Sequence, residues 1–187
     1  DGIALAAARG LATKVVKRTS FDNRLEHDAA IASSIEDCDA DYVFLAGYMA
    51  ILGSVFVDQF AGKLINIHPS LLPAFKGLDT HQRAIDSGVE THGASIHLVN
   101  GALDDGPLIL QASLAVAETD TAEVLAGRVL QLEHQIYPFV LLSLAAQNVT
   151  LLHDEVIWQV TTLAAAPAEI QNVLEPCVIW PDGSSQR

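Results

Sequence analysis

Tyr42-Val43-Phe44-Leu45-Ala46, closed by Gly47, and Leu64-Ile65-Asn66-Ile67-His68, closed by Pro69, are the two stretches on which the fold turns. The first is apolar at every position, the pattern of a strand covered on both faces. Between them, residues 55–60 read as a short helix ending at Gly62. Upstream, residues 3–9 are alanine-rich and stop at Gly10 like the end of a helix. Residues 14–17 read as a short strand, and the stretch to Asp37 as a helix with Ser20 or Asp22 near its cap. Downstream, residues 80–87 read as a helix, 94–99 and 108–116 as strands, and 100–107 as a turn. Asp120 and Glu123 form a capping-box-like start, after which Val124, Val129, Leu132, Ile136 and Val140 recur at helical spacing. Pro138 should kink this helix or end its first part. Residues 149–158 read as a strand or extended tail.

Strands alternating with helices predict an α/β fold with a doubly wound, mostly parallel sheet. In that architecture ligands bind beyond the carboxyl ends of the strands. The expected domain spans residues 1–164, with 165–187 a weakly structured tail carrying Pro167, Pro176 and Pro181.

The 187 residues suit one domain, and half of them are apolar. A net charge of −13 argues against a nucleic-acid partner. The apolar runs fall short of the roughly 20 residues of a membrane-spanning helix. Two cysteines, Cys38 and Cys177, make neither a disulfide framework nor a metal spacing, and suit a reducing compartment, the cytoplasm.

Side chains alternate along a strand, so Asn66 and His68 leave one face together at a carboxyl end. Burying an amide beside an imidazole is unfavourable unless both are hydrogen-bonded. That pair is either a satisfied structural couple or a site, and its place at a strand end favours the site. Leu103-Asp104-Asp105-Gly106-Pro107 is a turn in which aspartates are ordinary. Asp104, following the strand that carries His97, could reach a histidine on a neighbouring strand. A carboxylate there favours the protonated imidazole. Such a histidine beside an amide donor suits acyl transfer, where charge builds on a carbonyl oxygen. His68, His81, His92 and His97 fall within thirty residues but match no zinc spacing, so no metal is expected. Glu133 borders the apolar stripe of its helix and could face a substrate amine. No nucleophile elbow, dinucleotide loop or Walker loop is present.

Taken in order, Asn66-Ile67-His68-Pro69-Ser70-Leu71-Leu72-Pro73, Gly77-Leu78-Asp79-Thr80-His81, His92-Gly93-Ala94-Ser95-Ile96-His97 and Leu103-Asp104-Asp105-Gly106-Pro107 resemble the folate-dependent formyltransferases. The nearest likeness is to their glycinamide ribonucleotide branch. The resemblance runs from about residue 2 to about residue 158. It implies a Rossmann-like formyltransferase fold. It also implies formyl transfer from 10-formyltetrahydrofolate, as co-substrate, to the amine of glycinamide ribonucleotide, an early step of purine synthesis.

Position by position, His68 resembles the general acid and Asn66 the donor to the formyl oxygen. His97 resembles a supporting neighbour, and Asp104 the carboxylate that acts on His68. Arg24, Met49, Ala50, Ile51, Leu52 and Asn66 match folate-binding positions, and Gly47 and Glu133 match positions near the amine substrate. Small-molecule substrates and a monomer or homodimer are the implied partners.

Against the family pattern, the chain starts without the first strand–loop–helix, whose Gly-Ser-Asn loop cradles the substrate phosphate. That makes an N-terminal truncation the expectation. Ala50 stands where arginine is frequent, and Asp105 where glycine is common. Two other readings stay open. One is a formyltetrahydrofolate deformylase, which hands the formyl group to water; the other is a non-catalytic folate-binding module.

Overall fold

The computed structural model describes residues 2–152, 155–159, 178–179 and 185–186. Its helices are α1 (Gly2–Ala8), α2 (Arg24–Glu36), α3 (Ser54–Gln59), α4 (Thr80–Asp86) and α5 (Ala122–Ala145). Its strands are β1 (Val43–Leu45), β2 (Leu64–His68), β3 (Thr91–Leu98), β4 (Leu108–Ala115), β5 (Val149–Leu152), β6 (Glu155–Trp158), β7 (Val178–Ile179) and β8 (Ser185–Gln186). A six-stranded sheet runs in the order β1-β2-β3-β4-β7-β8, and β5 and β6 form a separate hairpin.

Alternation along the strands sorts side chains into two cores. Phe44, Ile65, Ala94, Ile96 and Leu110 pack with Leu125, Val129, Ile136 and Val140 of α5. On the opposite face, Val43, Leu45 and Leu64 pack with Ala32 of α2 and with Phe56 and Val57 of α3. The sheet therefore lies between helical layers, and β1 is covered on both faces. Its residues are nonetheless only half-buried, because among the described residues β1 pairs with β2 alone.

Strand direction departs from the mostly parallel expectation. Among the described residues only β1–β2 is parallel; β2–β3, β3–β4, β4–β7 and β7–β8 are antiparallel. Parallel neighbours need a crossover of a dozen or more residues, and the 99–107 connection between β3 and β4 is too short for one. The connection from β2 to β3 is longer, but α4, with seven residues, advances only about 10 Å, too little to carry the chain back along β3.

Several local features also differ from the sequence reading. Residues 14–17 run as irregular chain rather than strand. Asn23, not Ser20 or Asp22, caps α2, accepting from the Glu26 N–H at 3.0 Å. Thr121 caps α5 through the Val124 N–H, while Asp120 binds the Ala117 N–H and pairs with Arg128. Helix α5 continues through Pro138, its Phe139 and Val140 being buried. Packing on both sides of the proline outweighs the backbone hydrogen bond lost at the preceding turn. Most of the expected tail, 165–187, lies outside the described residues; its described parts, β7 and β8, extend the sheet. Among the described residues no helix is long and apolar enough to cross a membrane.

Candidate active site

The antiparallel β2–β3 pairing is what assembles the site. It sets Asn66 directly opposite His97 and His68 opposite Ser95, all on one face. His97 is almost wholly buried, and its Nδ1 lies 2.8 Å from the Leu98 carbonyl. A carbonyl only accepts, so Nδ1 carries the proton. Burial first of all lowers the His97 pKa, against the Leu98 carbonyl and Asp104, and so favours the neutral ring. Its Nε2 is then an acceptor, 3.3 Å from the Asn66 amide nitrogen. The Asn66 amide is thereby oriented, with Nδ2 toward His97 and one N–H left over.

Asp104 arrives from the turn after β3. Gly106 lies so close to the Leu98 carbonyl that a Cβ there would stand 1.8 Å from its oxygen. This contact, with the Leu98 N–H bonded to the Pro107 carbonyl at 2.9 Å, folds the turn back over the strand ends. Asp104 itself adopts a left-handed backbone (φ +47), costly for a non-glycine residue. Its carboxylate stands 3.4 Å from His68 Nδ1 and accepts from the Gly77 N–H at 2.9 Å. The 3.8 Å to His97 Nε2 is too long for a hydrogen bond. His68 Nε2 donates to the Phe75 carbonyl at 3.0 Å. Both nitrogens of the buried His68 ring thus face oxygen acceptors.

The 69–77 loop that supplies Phe75 and Gly77 is held by a second network. Ser95 Oγ donates to the Ser70 carbonyl and accepts from the Leu72 N–H, and Gln111 bonds both Ser95 Oγ and the Leu72 carbonyl. Beyond it, His92 and His81 touch through Nε2 and Nδ1 at 3.2 Å. Burial, and then the His81 charge, push His92 down to about 4. His81 is lowered by burial and by His68.

The remaining expected residues form a neighbouring region. Arg24, at the start of α2, reaches Asp28 at 3.4 Å, and the same Asp28 oxygen accepts from the Gly53 N–H at 3.1 Å. Asp28 therefore ties Arg24 to the end of the 49–52 segment, where Met49 is 78% and Ile51 70% exposed. Gly47 sits at φ +64, just past β1. Glu133 is half-buried on α5, and burial raises its carboxyl pKa against a smaller opposing effect of His134. One turn on, the Tyr137 hydroxyl donates to the Leu45 carbonyl at 2.8 Å and approaches the Ile65 carbonyl at 3.1 Å, pinning α5 to the end of β1 and to the neighbouring backbone of β2. A cavity of about 450 Å³, lined by Lys14, Val16, Ile35 and Val43 among others, runs along β1 and includes none of Asn66, His68 or Asp104.

Asp28, Phe75, Gly77 and Tyr137 escaped the sequence reading. Two of them act through backbone groups, which carry no sequence signal. Asp28 looks like an ordinary helical acid, and Tyr137 like one more member of an apolar stripe.

The formyl transferase family profile matches residues 1–141. Phosphoribosylglycinamide formyltransferase of Escherichia coli (strain K12) is 41% identical over 157 residues, covering 84% of this chain and 74% of that protein. The trifunctional purine biosynthetic protein adenosine-3 of Homo sapiens is 41% identical over 150 residues, 80% of this chain and 15% of that longer protein. A solved structure of the Coxiella burnetii phosphoribosylglycinamide formyltransferase superposes with a TM-score of 0.77 at 40% identity, covering 84% of this chain and 74% of that one. With its strand-end amide, imidazole and carboxylate in place and its sequence matched over three-quarters of its length, the chain belongs to the formyl transferase family of enzymes.

Proposed function

We propose that the protein transfers the formyl group of 10-formyltetrahydrofolate to the primary amine of glycinamide ribonucleotide. One observation carries the reading: Asn66, His68 and Asp104 converge at the ends of β2 and β3, with Asp104 3.4 Å from His68. The identity to proteins named phosphoribosylglycinamide formyltransferase supports the choice of substrates.

As the amine attacks the formyl carbon, a C–N bond forms and charge gathers on the formyl oxygen. Donors aimed at that oxygen lower the barrier. Asn66 offers the N–H that His97 does not use. His68 offers the Nε2–H now given to the Phe75 carbonyl, since an oxygen gaining negative charge is the stronger acceptor. Asp104 holds the far side of the ring, so that a proton at Nδ1 has a partner. The tetrahedral species then breaks the bond to the folate nitrogen. The proton lost by the attacking amine ends on that departing nitrogen, with His68 and Asp104 the groups placed to carry it.

Arg24, Met49, Ala50, Ile51 and Leu52 form the folate side in this reading, where the exposed apolar side chains gain a partner. Gly47 and Glu133 form the amine side, where the half-buried Glu133 carboxylate can accept from an N–H of the neutral attacking amine. We take residues 1–164 as the formyltransferase domain, working as a monomer or homodimer. The two cysteines, Cys38 and Cys177, without a disulfide framework, support the cytoplasm as its compartment.

The test is steady-state formyl transfer by His68→Ala and Asp104→Ala. Each variant should lose about 100-fold or more in kcat while keeping its circular dichroism. A near-normal rate in either variant overturns the assigned roles.

A further inference from the structure

Three consecutive loop residues each touch the catalytic region. The Phe75 carbonyl accepts from His68, Lys76 Nζ pairs with Asp105, and the Gly77 N–H binds Asp104 at 2.9 Å. From behind, the Arg83 guanidinium grips the Lys76 and Leu78 carbonyls at 2.7 and 3.1 Å. Phe75, Gly77 and Asp104 all hold positive φ (+54, +79 and +47). Such backbones persist where surrounding contacts over-determine them. Lys76–Asp105 is the only ion pair joining these two loops among the described residues.

We propose that the Lys76–Asp105 pair is a positioning latch, fastening the 69–79 loop to the 99–107 loop so that Asp104 stays aimed at His68. The inference rests on the formyl-transfer reading of His68 and Asp104. Asp105 brings a second carboxylate beside Asp104. Lys76 balances that charge. Deprived of Lys76, Asp105 adds uncompensated negative charge at the site. Deprived of Asp105, Lys76 becomes a rival to His68 for Asp104.

The charged and titratable groups set against Asp104 are His68 from β2 and His97 from β3, with the Lys76–Asp105 pair on the joined loops and Arg83 of α4 holding the Lys76 carbonyl. The Lys76 charge already reaches inward, contributing to the lowered His97 pKa behind the dominant effect of burial. Lys76 and Asp105 are 33% and 55% exposed, which keeps the effect modest. Loss of the pair should change kcat by about two- to fivefold.

The experiment compares Lys76→Met, Asp105→Asn and the charge-swapped double variant Lys76→Asp/Asp105→Lys with the wild type. Each single variant should lose about two- to fivefold in kcat at unchanged KM for the amine, and the double variant should regain most of it. The Gly77 amide, which donates to Asp104, supplies a readout that needs no turnover. Its hydrogen exchange should quicken in both single variants, as Asp104 loses its aim, and slow again in the charge-swapped double variant. Unchanged Gly77 exchange in the single variants, or a double variant no better than the singles, overturns the latch. A wild-type protein without formyl transfer overturns the proposed function instead, and the Gly77 exchange still decides the latch.

Discussion

Acidification should destabilise this fold through His92. The ring is fully buried on β3, 3.2 Å from His81 and edge-on to Phe75. Burial, then the His81 charge, lower its pKa from 6.5 to about 4. Between those values the unfolded chain binds a proton that the folded chain refuses, so stability is full above pH 6.5 and is lost as pH falls toward the folded pKa. The loss from this one group is about 1.4 kcal/mol at pH 5.5 and about 3 kcal/mol at pH 4. Urea denaturation of the wild type and His92→Gln from pH 7.5 to pH 4 isolates the effect, because other titrations are common to both. The free-energy difference between wild type and variant should move against the wild type by about 3 kcal/mol across that range. Parallel curves would instead put the proton affinity of folded His92 near its unfolded value and remove it as the source of acid instability.

Two further substitutions test how the site is held. Gly106→Ala drives a Cβ to 1.8 Å from the Leu98 carbonyl oxygen, where only backbone can give way. Thermal and urea melts should show a loss of about 2 kcal/mol or more, with kcat falling as Asp104 is displaced. Asp28→Asn breaks the ion pair to Arg24 while keeping an acceptor for the Gly53 N–H. It should raise the KM for the folate about fivefold with little change in kcat, measured by varying the folate at saturating amine. An unchanged folate KM would detach Arg24 from that side of the site.

The parts of the fold legible in the sequence are those written in short-range periodicity. The alternation in Leu64-Ile65-Asn66-Ile67-His68 placed Asn66 and His68 on one face, and the apolar stripe of α5 marked its packed side. Caps were legible to within a few residues, because Ser20, Asp22, Asn23, Asp120 and Thr121 all carry oxygen acceptors and only the backbone path selects among them. Strand direction was not legible. It depends on α4 being too short to return the chain, and it is this direction that sets His97 across from Asn66. The Phe75 carbonyl and the Gly77 N–H were invisible because every residue except proline carries both groups. Residues 14–17 have strand-like side chains, yet among the described residues they pair with no strand, and pairing rather than propensity makes a strand.

What defines the proposed site is the movement of a formyl group onto an amine. The most direct measurement follows the carbon itself: 10-formyltetrahydrofolate labelled with ¹³C in the formyl group, incubated with the protein and glycinamide ribonucleotide, and read by ¹³C NMR. The label should appear in the N-formyl amide of the ribonucleotide, and Asp104→Ala should suppress its appearance. Label released as formate at the same rate with or without the amine, or label remaining on the folate, would rule out amine formylation.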